Sequence, residues 1–142
     1  MNHLITEEFK ENILKITLNN PSQQNTLSLD IIQNFKQIIL NADNNSEVKV
    51  IIIASTGKVF SAGHNLKEIN SHRTDKDKGL EFFTTLINNC SDLMLNIINN
   101  SKPIIAQVNG VATAAGCQLV ASCDLAYASD ISKFAPPGVN IG

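Results

Sequence analysis

The first half of the chain combines two strand patterns with one helical pattern. Ile13–Leu18 alternates apolar and polar side chains before a turn-forming Asn-Asn-Pro-Ser cluster, which predicts a half-buried strand. We expect residues 4–9 to pair with it. Ser28 can cap the helix that follows, with Asp30 in the favourable first turn. The apolar side chains that share one face of this helix are Ile31, Ile32, Phe35, Ile38 and Ile39.

A buried strand and a long amphipathic helix follow. The unbroken apolar run Val48–Ala54, rich in β-branched residues, is typical of a strand covered on both faces of a parallel sheet. Residues 77–99 predict a helix, which Pro103 prevents from continuing. The expected apolar stripe of that helix is Leu80, Phe83, Ile87, Cys90, Met94 and Ile97.

The last third of the chain repeats the alternation. Ile104–Val108 predicts a buried strand, the small residues of Ala112–Ala121 a short buried helix, and Leu125–Ala128 a further strand. Strands that alternate with helices build βαβ units with right-handed crossovers, so the predicted fold class is α/β. Ligands of such sheets bind in the connections that leave the buried strands.

Composition narrows the class of protein. The chain has 142 residues, 43% hydrophobic and 17% charged, which fits one globular domain and argues against disorder. No apolar run approaches the ~20 residues of a membrane-spanning helix, so we expect no membrane partner. The formal net charge is −2 and Arg73 is the only arginine, which predicts no nucleic-acid partner.

Cysteine usage and the first residues suggest a compartment. Cys90, Cys117 and Cys123 are too few and too irregularly spaced for a disulfide framework or a zinc site, so no metal is expected. Glu7 and Glu8 stand where a secretory signal would need apolar residues. A mitochondrial transit peptide is Arg-rich and poor in acidic residues, unlike this start. The expectation is a cytoplasmic protein.

Two connections carry recognisable motifs. Residues 60–68 read Phe-Ser-Ala-Gly-His-Asn-Leu-Lys-Glu, and residues 109–118 read Asn-Gly-Val-Ala-Thr-Ala-Ala-Gly-Cys-Gln. Together they resemble the crotonase superfamily, the enoyl-CoA hydratase/isomerase family. Its members carry Phe–small–Ala-Gly–x–Asp-Leu-Lys-Glu and Asn-Gly-x-Ala-x-Gly-Gly-Gly-Cys-Glu-Leu. The resemblance implies a crotonase-like ββα spiral. Residues 1–142 would be the amino-terminal part of one such domain, truncated before the carboxy-terminal helices.

The resemblance also implies a site. Family members bind an acyl-coenzyme A thioester and stabilise an enolate-like oxyanion with two backbone N–H groups. By motif position these donors are the N–H groups of His64 and Ala115, with Ala115 at the start of a helix. Gly63 and Gly116 flank the donors and allow the backbone to approach a ligand closely. The side chain of His64 has two interpretations, an ordinary hydrogen bond or acid–base chemistry, and the main chain is the favoured role.

Coenzyme A would enter as part of the substrate, with no separate cofactor. The resemblance places Asn65, Leu66 and Lys67 around the nucleotide, with Lys67 near the phosphates or simply solvated. Residues 23–27 would add contacts to the nucleotide arm. A full-length family member would form a homotrimer or hexamer.

The chain departs from the family at both proton-handling glutamates. Gln118 occupies the first position and Gly138 the second, and neither can exchange a proton at neutral pH. General acid–base groups contribute roughly 10²–10⁴-fold each, so efficient hydration is not expected. Asp124 and Glu68 are possible substitutes, although structural roles are favoured for both.

Three functions remain open. The chain could be an acyl-CoA-binding, enoyl-CoA hydratase/isomerase-like enzyme (lyase class) of fatty-acid metabolism, slow in hydration or specialised for another reaction. It could be a non-catalytic acyl-CoA-binding or regulatory relative. It could also be a non-functional fragment with exposed apolar faces, which would be poorly soluble.

Overall fold

The elements alternate as the apolar pattern indicates. The computed structural model describes residues 4–141, and side chains as far as Val139. This part of the chain forms eight strands and five α-helices. The strands are β1 (Ile5–Lys10), β2 (Ile13–Leu18), β3 (Val50–Ser55), β4 (Val59–Ser61), β5 (Ile104–Val108), β6 (Val111–Thr113), β7 (Leu125–Ala128) and β8 (Lys133–Ala135). The helices are α1 (Leu29–Asn44), α2 (Leu66–Ser71), α3 (Leu80–Ile98), α4 (Ala115–Ala121) and α5 (Gly138–Ile141).

The larger sheet contains every strand that the apolar pattern predicts. Its order is β1-β2-β3-β5-β7. β1 and β2 form an antiparallel hairpin, and the other neighbours are parallel. The hairpin turns at Glu11 and Asn12, whose φ angles of 52° and 63° suit the right-handed twist of paired strands. The α/β prediction is therefore confirmed.

Helix α1 forms as its sequence predicts. The Ser28 hydroxyl accepts a hydrogen bond from the Ile31 N–H at 3.4 Å, and Asp30 lies in the first turn. The predicted apolar face is buried against the sheet and α3, where each large side chain contributes roughly 1.5–3 kcal/mol. The largest fully buried side chains of this core include Ile16, Leu18, Ile32, Phe35, Ile39, Ile51, Ile53, Leu86, Leu93 and Ile97.

The predicted stripe of α3 is only partly right. Its later members are buried, but Leu80, Phe83 and Ile87 are 69%, 48% and 42% exposed. The core instead receives Leu86 and Leu93. Two adjacent apolar stripes run along this helix, and a 3.6-residue period fits either of them, so the pattern could not decide which one is buried.

A smaller sheet is absent from the sequence prediction. Strands β4, β6 and β8, each three residues long, pair in parallel in that order. The expectation of one helix over Ala112–Ala121 is therefore wrong, because Val111–Thr113 is β6 and α4 begins at Ala115. Backbone pairing on both sides of β6 outweighs the helix propensity of its small residues.

The two sheets reveal a spiral. In each of three successive ββα units, the first strand joins the larger sheet and the second joins the smaller sheet. The units are β3-β4 with α2 and α3, β5-β6 with α4, and β7-β8 with α5. This confirms the predicted ββα spiral.

Apolar side chains remain uncovered on the later elements. They lie on α3, on β7, and on β8 with the residues beside it. The large ones are Leu80, Phe83, Ile87, Leu95, Ile98, Leu125, Tyr127, Ile131, Phe134 and Val139. The exposed apolar surface expected from the sequence is thus present, and poor solubility stays a prediction.

Candidate functional site

The predicted site residues meet at one edge of the smaller sheet. Because β4, β6 and β8 are parallel neighbours, their carboxyl ends lie side by side. Residues 62–65 follow β4, residues 114–116 follow β6, and residues 136–138 follow β8. We call the first two segments the first bend and the second bend. The topology thus gathers three predicted segments that are distant in sequence.

Hydrogen bonds to a neighbouring segment fix the first bend. The Leu27 N–H donates to the Gly63 carbonyl at 2.8 Å, and the Asn65 N–H donates to the Leu27 carbonyl at 3.3 Å. These bonds form a parallel bridge between Leu27 and His64. In such a bridge the amide of the central residue points away from the partner strand. The His64 N–H accordingly has no acceptor among the described residues.

A buried asparagine holds the segment beneath the first bend. Asn25 is 1% exposed, and its Nδ2 donates to the carbonyls of Thr56 and Val59 at 2.8 Å each. Its Oδ1 accepts from the Asn20 N–H at 2.8 Å. Ser61 donates its hydroxyl to the Asn25 carbonyl at 2.9 Å. The roles of Asn25 and Ser61 were not predicted from the sequence, because burial of a single polar side chain leaves no periodic signal.

Backbone conformation and packing shape the second bend. Ala114 has φ 51° and ψ −127°, a positive-φ conformation that costs an L-residue roughly 1–3 kcal/mol. Its carbonyl accepts from the N–H groups of Cys117 and Gln118 at 3.0 and 3.1 Å. The Ala115 N–H begins α4 and has no acceptor in the described part of the chain.

The two bends are in direct contact. A methyl group placed on Gly63 would lie 2.8 Å from the Ala114 Cβ and 3.1 Å from the Ala115 nitrogen. One placed on Gly116 would lie 2.4 Å from the Ser61 carbonyl oxygen. Only glycine permits these approaches between the protein's own segments, whereas the predicted close approach to a ligand stays a prediction. The geometry brings the residue before His64 against the Ala115 amide nitrogen.

Three cavities surround the bends. The α2 cavity, of about 520 Å³, lies between α2 and the turn before α1. The α3 cavity, of about 400 Å³, opens along α3, and the α5 cavity, of about 450 Å³, lies beside α5. His64 lines the α2 and α3 cavities, whereas Gln118 lines the α3 and α5 cavities. Gly138 lines the α5 cavity with Gln118, so the two departures from the family pattern share one cavity.

The α2 cavity collects the residues predicted to contact coenzyme A. Asn65, Leu66 and Lys67 line it together with Gln23 and Gln24. The Asn65 Oδ1 caps α2 by accepting from the N–H groups of Lys67 and Glu68 at 3.1 and 3.2 Å. Leu66 is 75% exposed, and Lys67 is also exposed. Lys67 is therefore available to a ligand, whereas the Asn65 oxygen already has two donors.

The two candidate carboxylates are structural. Glu68 accepts the Leu29 N–H at the start of α1 through Oε2, at 3.2 Å. Asp124 accepts the Ile104 N–H through Oδ2, at 2.7 Å. Both side chains satisfy backbone donors at element ends, as the favoured interpretation predicted.

Burial controls protonation at the site. It lowers the pKa of His64 below 6.5, and the Leu27 backbone opposes this shift. The His64 Nδ1 is buried and makes no hydrogen bond in the described structure. Burial raises the pKa of Cys90, and together with Asp124 it raises the pKa of Cys123 to about 12. Neither cysteine offers a thiolate at neutral pH.

Among residues 4–141, the helices are too short or too polar to cross a bilayer.

Comparisons with known proteins agree with the fold. A family model described as enoyl-CoA hydratase/isomerase matches residues 8–142. Enoyl-CoA hydratase domain-containing protein 3 of Xenopus laevis is 50% identical over 130 residues, covering 92% of this chain and 42% of that protein. The crystal structure of the human protein of that name has a TM-score of 0.88 at 44% identity, covering 99% of this chain and 53% of that one. The crystal structure of an enoyl-CoA hydratase/isomerase family protein from Silicibacter pomeroyi has a TM-score of 0.88 at 40% identity. The match covers 98% of this chain and 57% of that one.

These comparisons correct one expectation. The Xenopus protein and its rat and human counterparts are named as mitochondrial, so the expected cytoplasmic location is wrong. That expectation rested on the first ten residues and the cysteines. The chain spans less than half the length of these relatives, so its first residues are no guide to a targeting segment.

Proposed function

The chain belongs to the enoyl-CoA hydratase/isomerase family, and on that premise we propose that it binds an acyl-CoA thioester between its two bends. The thioester oxygen would accept hydrogen bonds from the N–H groups of His64 and Ala115. The observation that carries this proposal is the contact between the bends, each with an amide that has no acceptor in the described chain.

Fixed amides are suited to this chemistry. A thioester carbonyl gains negative charge when its α-carbon loses a proton or its β-carbon is attacked. Donors already held in place stabilise that charge without reorganising, and one such donor contributes about 10²–10³-fold in other enzymes. The hydrogen bonds of the first bend and the packing of the second supply this rigidity.

Coenzyme A would occupy the α2 cavity. This cavity borders His64 and carries the exposed ammonium of Lys67, a suitable partner for a phosphate. Gln23, Gln24 and Thr26 line the same cavity and offer polar contacts to a nucleotide. No separate cofactor is proposed, because coenzyme A arrives as part of the thioester.

Efficient hydration is not part of the proposal. Gln118 and Gly138 line the α5 cavity where the family pattern has two glutamates. A glutamine can orient a water molecule but cannot take its proton, and a glycine can do neither. We infer slow hydration or isomerisation, in the acyl-CoA and fatty-acid metabolism of the family. The alternative is that the protein binds a thioester without turning it over, and Gln118 and Gly138 are the residues that support this alternative.

Calorimetry with butyryl-CoA tests the binding. We expect saturable binding that free coenzyme A reproduces only in part, because it lacks the thioester carbonyl. Lys67→Ala should weaken both ligands by a similar factor, since it changes only the nucleotide side. Absence of binding by butyryl-CoA would overturn the proposal.

A gain of function tests the second half of the proposal. The double variant Gln118→Glu with Gly138→Glu should hydrate crotonyl-CoA about 100-fold faster than the parent, since each carboxylate restores proton transfer. Gln118→Glu alone is the matched control and should gain less. A folded double variant that binds crotonyl-CoA but gains no activity would show that these positions do not face the reacting carbons.

The whole protein would complete the domain. The chain spans 42% of the Xenopus relative, and its later elements expose apolar side chains. We propose that residues 1–142 are the amino-terminal part of one domain, which assembles as a trimer or hexamer when complete. Sedimentation of residues 1–142 should show association or aggregation, and a compact, stable monomer would contradict this expectation.

A further inference from the structure

His64 takes part in the site twice. Its main chain belongs to the first bend, and the residue lines both the α2 cavity and the α3 cavity. The proposed function uses only the main chain. The side chain is a half-buried titratable group at the point where coenzyme A and its acyl group would meet.

The ring has a defined inner and outer edge. Nδ1 is buried and makes no hydrogen bond within the described residues. Nε2 is not among the buried atoms without a partner, so it is the ring nitrogen that a ligand could reach. The Leu27 backbone raises the pKa of the imidazole and so partly offsets the effect of burial. A neutral tautomer with its hydrogen on Nδ1 would leave the Nε2 lone pair facing the cavities.

The surroundings offer few other bases. In the described lining of the α3 cavity, the titratable side chains are His64 and Cys90. In the α2 cavity they are His64 and Lys67. Burial raises the pKa of the Cys90 thiol, so Cys90 is not a base at neutral pH. Gln118, which also lines the α3 cavity, does not titrate.

We propose that the His64 imidazole is the proton-transfer group of this site, acting at the α-carbon of the acyl thioester that its own amide helps to bind. Nε2 takes the α-proton as the Cα–H bond breaks, and the electron pair passes into an enolate whose oxygen the two amides stabilise. Return of the proton from Nε2 to the α-carbon regenerates the thioester. The inference rests on the proposed function.

The α3 cavity suits the group on which this step acts. Its wall along α3 is largely apolar, with Ile87, Met94, Leu95 and Ile98 beside His64. An aliphatic acyl chain would lie against this wall, with its α-carbon nearest the thioester. Burial lowers the pKa of His64, so the imidazole is neutral at pH 7 and ready to accept a proton.

Deuterium exchange into butyryl-CoA tests the inference directly. In D₂O the parent protein should replace the α-hydrogens of butyryl-CoA with deuterium, and NMR measures the rate of this exchange. The exchange rate should fall as pD drops through the His64 pKa. His64→Gln should slow exchange about 100-fold or more and remove that pD dependence. It should change the Kd of butyryl-CoA less than about threefold, because the residue 64 amide remains.

Several results separate the two proposals. His72→Gln, a histidine outside all three cavities around the bends, is the matched control and should exchange at the parent rate. His64→Asn repeats the test if the glutamine variant does not fold. Exchange by a folded His64→Gln protein at the parent rate would overturn the inference, as would binding by the parent without exchange. Failure of the parent to bind butyryl-CoA would overturn the proposed function as well.

Discussion

The two bends would serve one oxygen atom, yet different forces hold them in place. In the first bend the Gly63 carbonyl accepts from the Leu27 N–H, and the Ala62 N–H donates to the Gln24 carbonyl. The side chains of Asn25 and Ser61 hold the neighbouring segment through further hydrogen bonds. In the second bend the Ala114 N–H donates to the Ala135 carbonyl, and the Ala114 carbonyl accepts from the first turn of α4. Its position also depends on close packing and on the positive φ of Ala114. A polar network thus positions one donor and steric fit the other.

Ser61 joins the two systems. Its hydroxyl bonds the Asn25 carbonyl, and its own carbonyl and Cβ are the atoms nearest to Gly116. A substitution that displaces one bend should therefore also displace the other, because both contact Ser61 of β4. The second bend should be the more sensitive to added volume, and the first to lost polar groups.

Gly116→Ala should have the largest effect. Its methyl group would lie 2.4 Å from the Ser61 carbonyl oxygen and 2.7 Å from the Ser61 Cβ, and neither atom can move without displacing β4. We expect a loss of about 3 kcal/mol in the free energy of unfolding, measured in urea. Gly138→Ala is the matched control and should be neutral, since a methyl group added there would meet no neighbouring segment within 4 Å. Equal stability of the two variants would contradict the packing argument.

Asn25→Ala should have the next largest effect. It leaves the carbonyls of Thr56 and Val59 and the Asn20 N–H without their buried partner. We expect a loss of about 2 kcal/mol in the free energy of unfolding. Asn41→Ala is the control, because Asn41 is exposed and accepts one hydrogen bond from Gln37, so it should cost less than 0.5 kcal/mol. Similar losses of unfolding free energy in both variants would show that Asn25 does not hold the first bend in place.

The sequence predicts the larger sheet and helix α1 because their signals are long and local. Six alternating residues define β2, and one hydroxyl at Ser28 marks the start of α1. The smaller sheet has no such signal, since β4, β6 and β8 are three residues each and form only through pairing with one another. Propensity alone therefore extended α4 back over β6.

The sequence allowed the glycines of the candidate site to be predicted, but not the side chains that hold the bends in place. Gly63 and Gly116 appear in motifs because no other residue fits the contact between the bends. Asn25 and Ser61 support the same contact through hydrogen bonds between segments more than thirty residues apart. Such pairings become visible only when the chain is folded.

Ala114→Gly should have a smaller effect, of opposite sign. Ala114 has φ 51° and its residue is exposed, so removing the methyl relieves backbone strain at little cost in packing. The gain is partly offset by the greater freedom of glycine in the unfolded chain, and we expect about 0.5–1 kcal/mol of added stability. Ala121→Gly, at an exposed helical position of α4, should instead lose about that amount. Destabilisation by Ala114→Gly would mean that packing, and not strain, sets the second bend.

The smallest expected effect is on the acid sensitivity of folding, which should depend on the first bend and not on the second. The first bend carries the His64 imidazole, whose pKa burial lowers, whereas residues 114–116 have no titratable side chain. The unfolded chain therefore binds a proton more readily than the folded one between the two pKa values. The contribution of His64 to stability is present above pH 6.5 and is lost as pH falls through its lower folded value. His64→Gln should reduce the drop in the urea midpoint between pH 7.5 and pH 5, whereas Ala114→Gly should keep the full drop. An unchanged drop in His64→Gln would place the acid-sensitive group elsewhere, and the first bend would then owe its geometry to its hydrogen bonds alone.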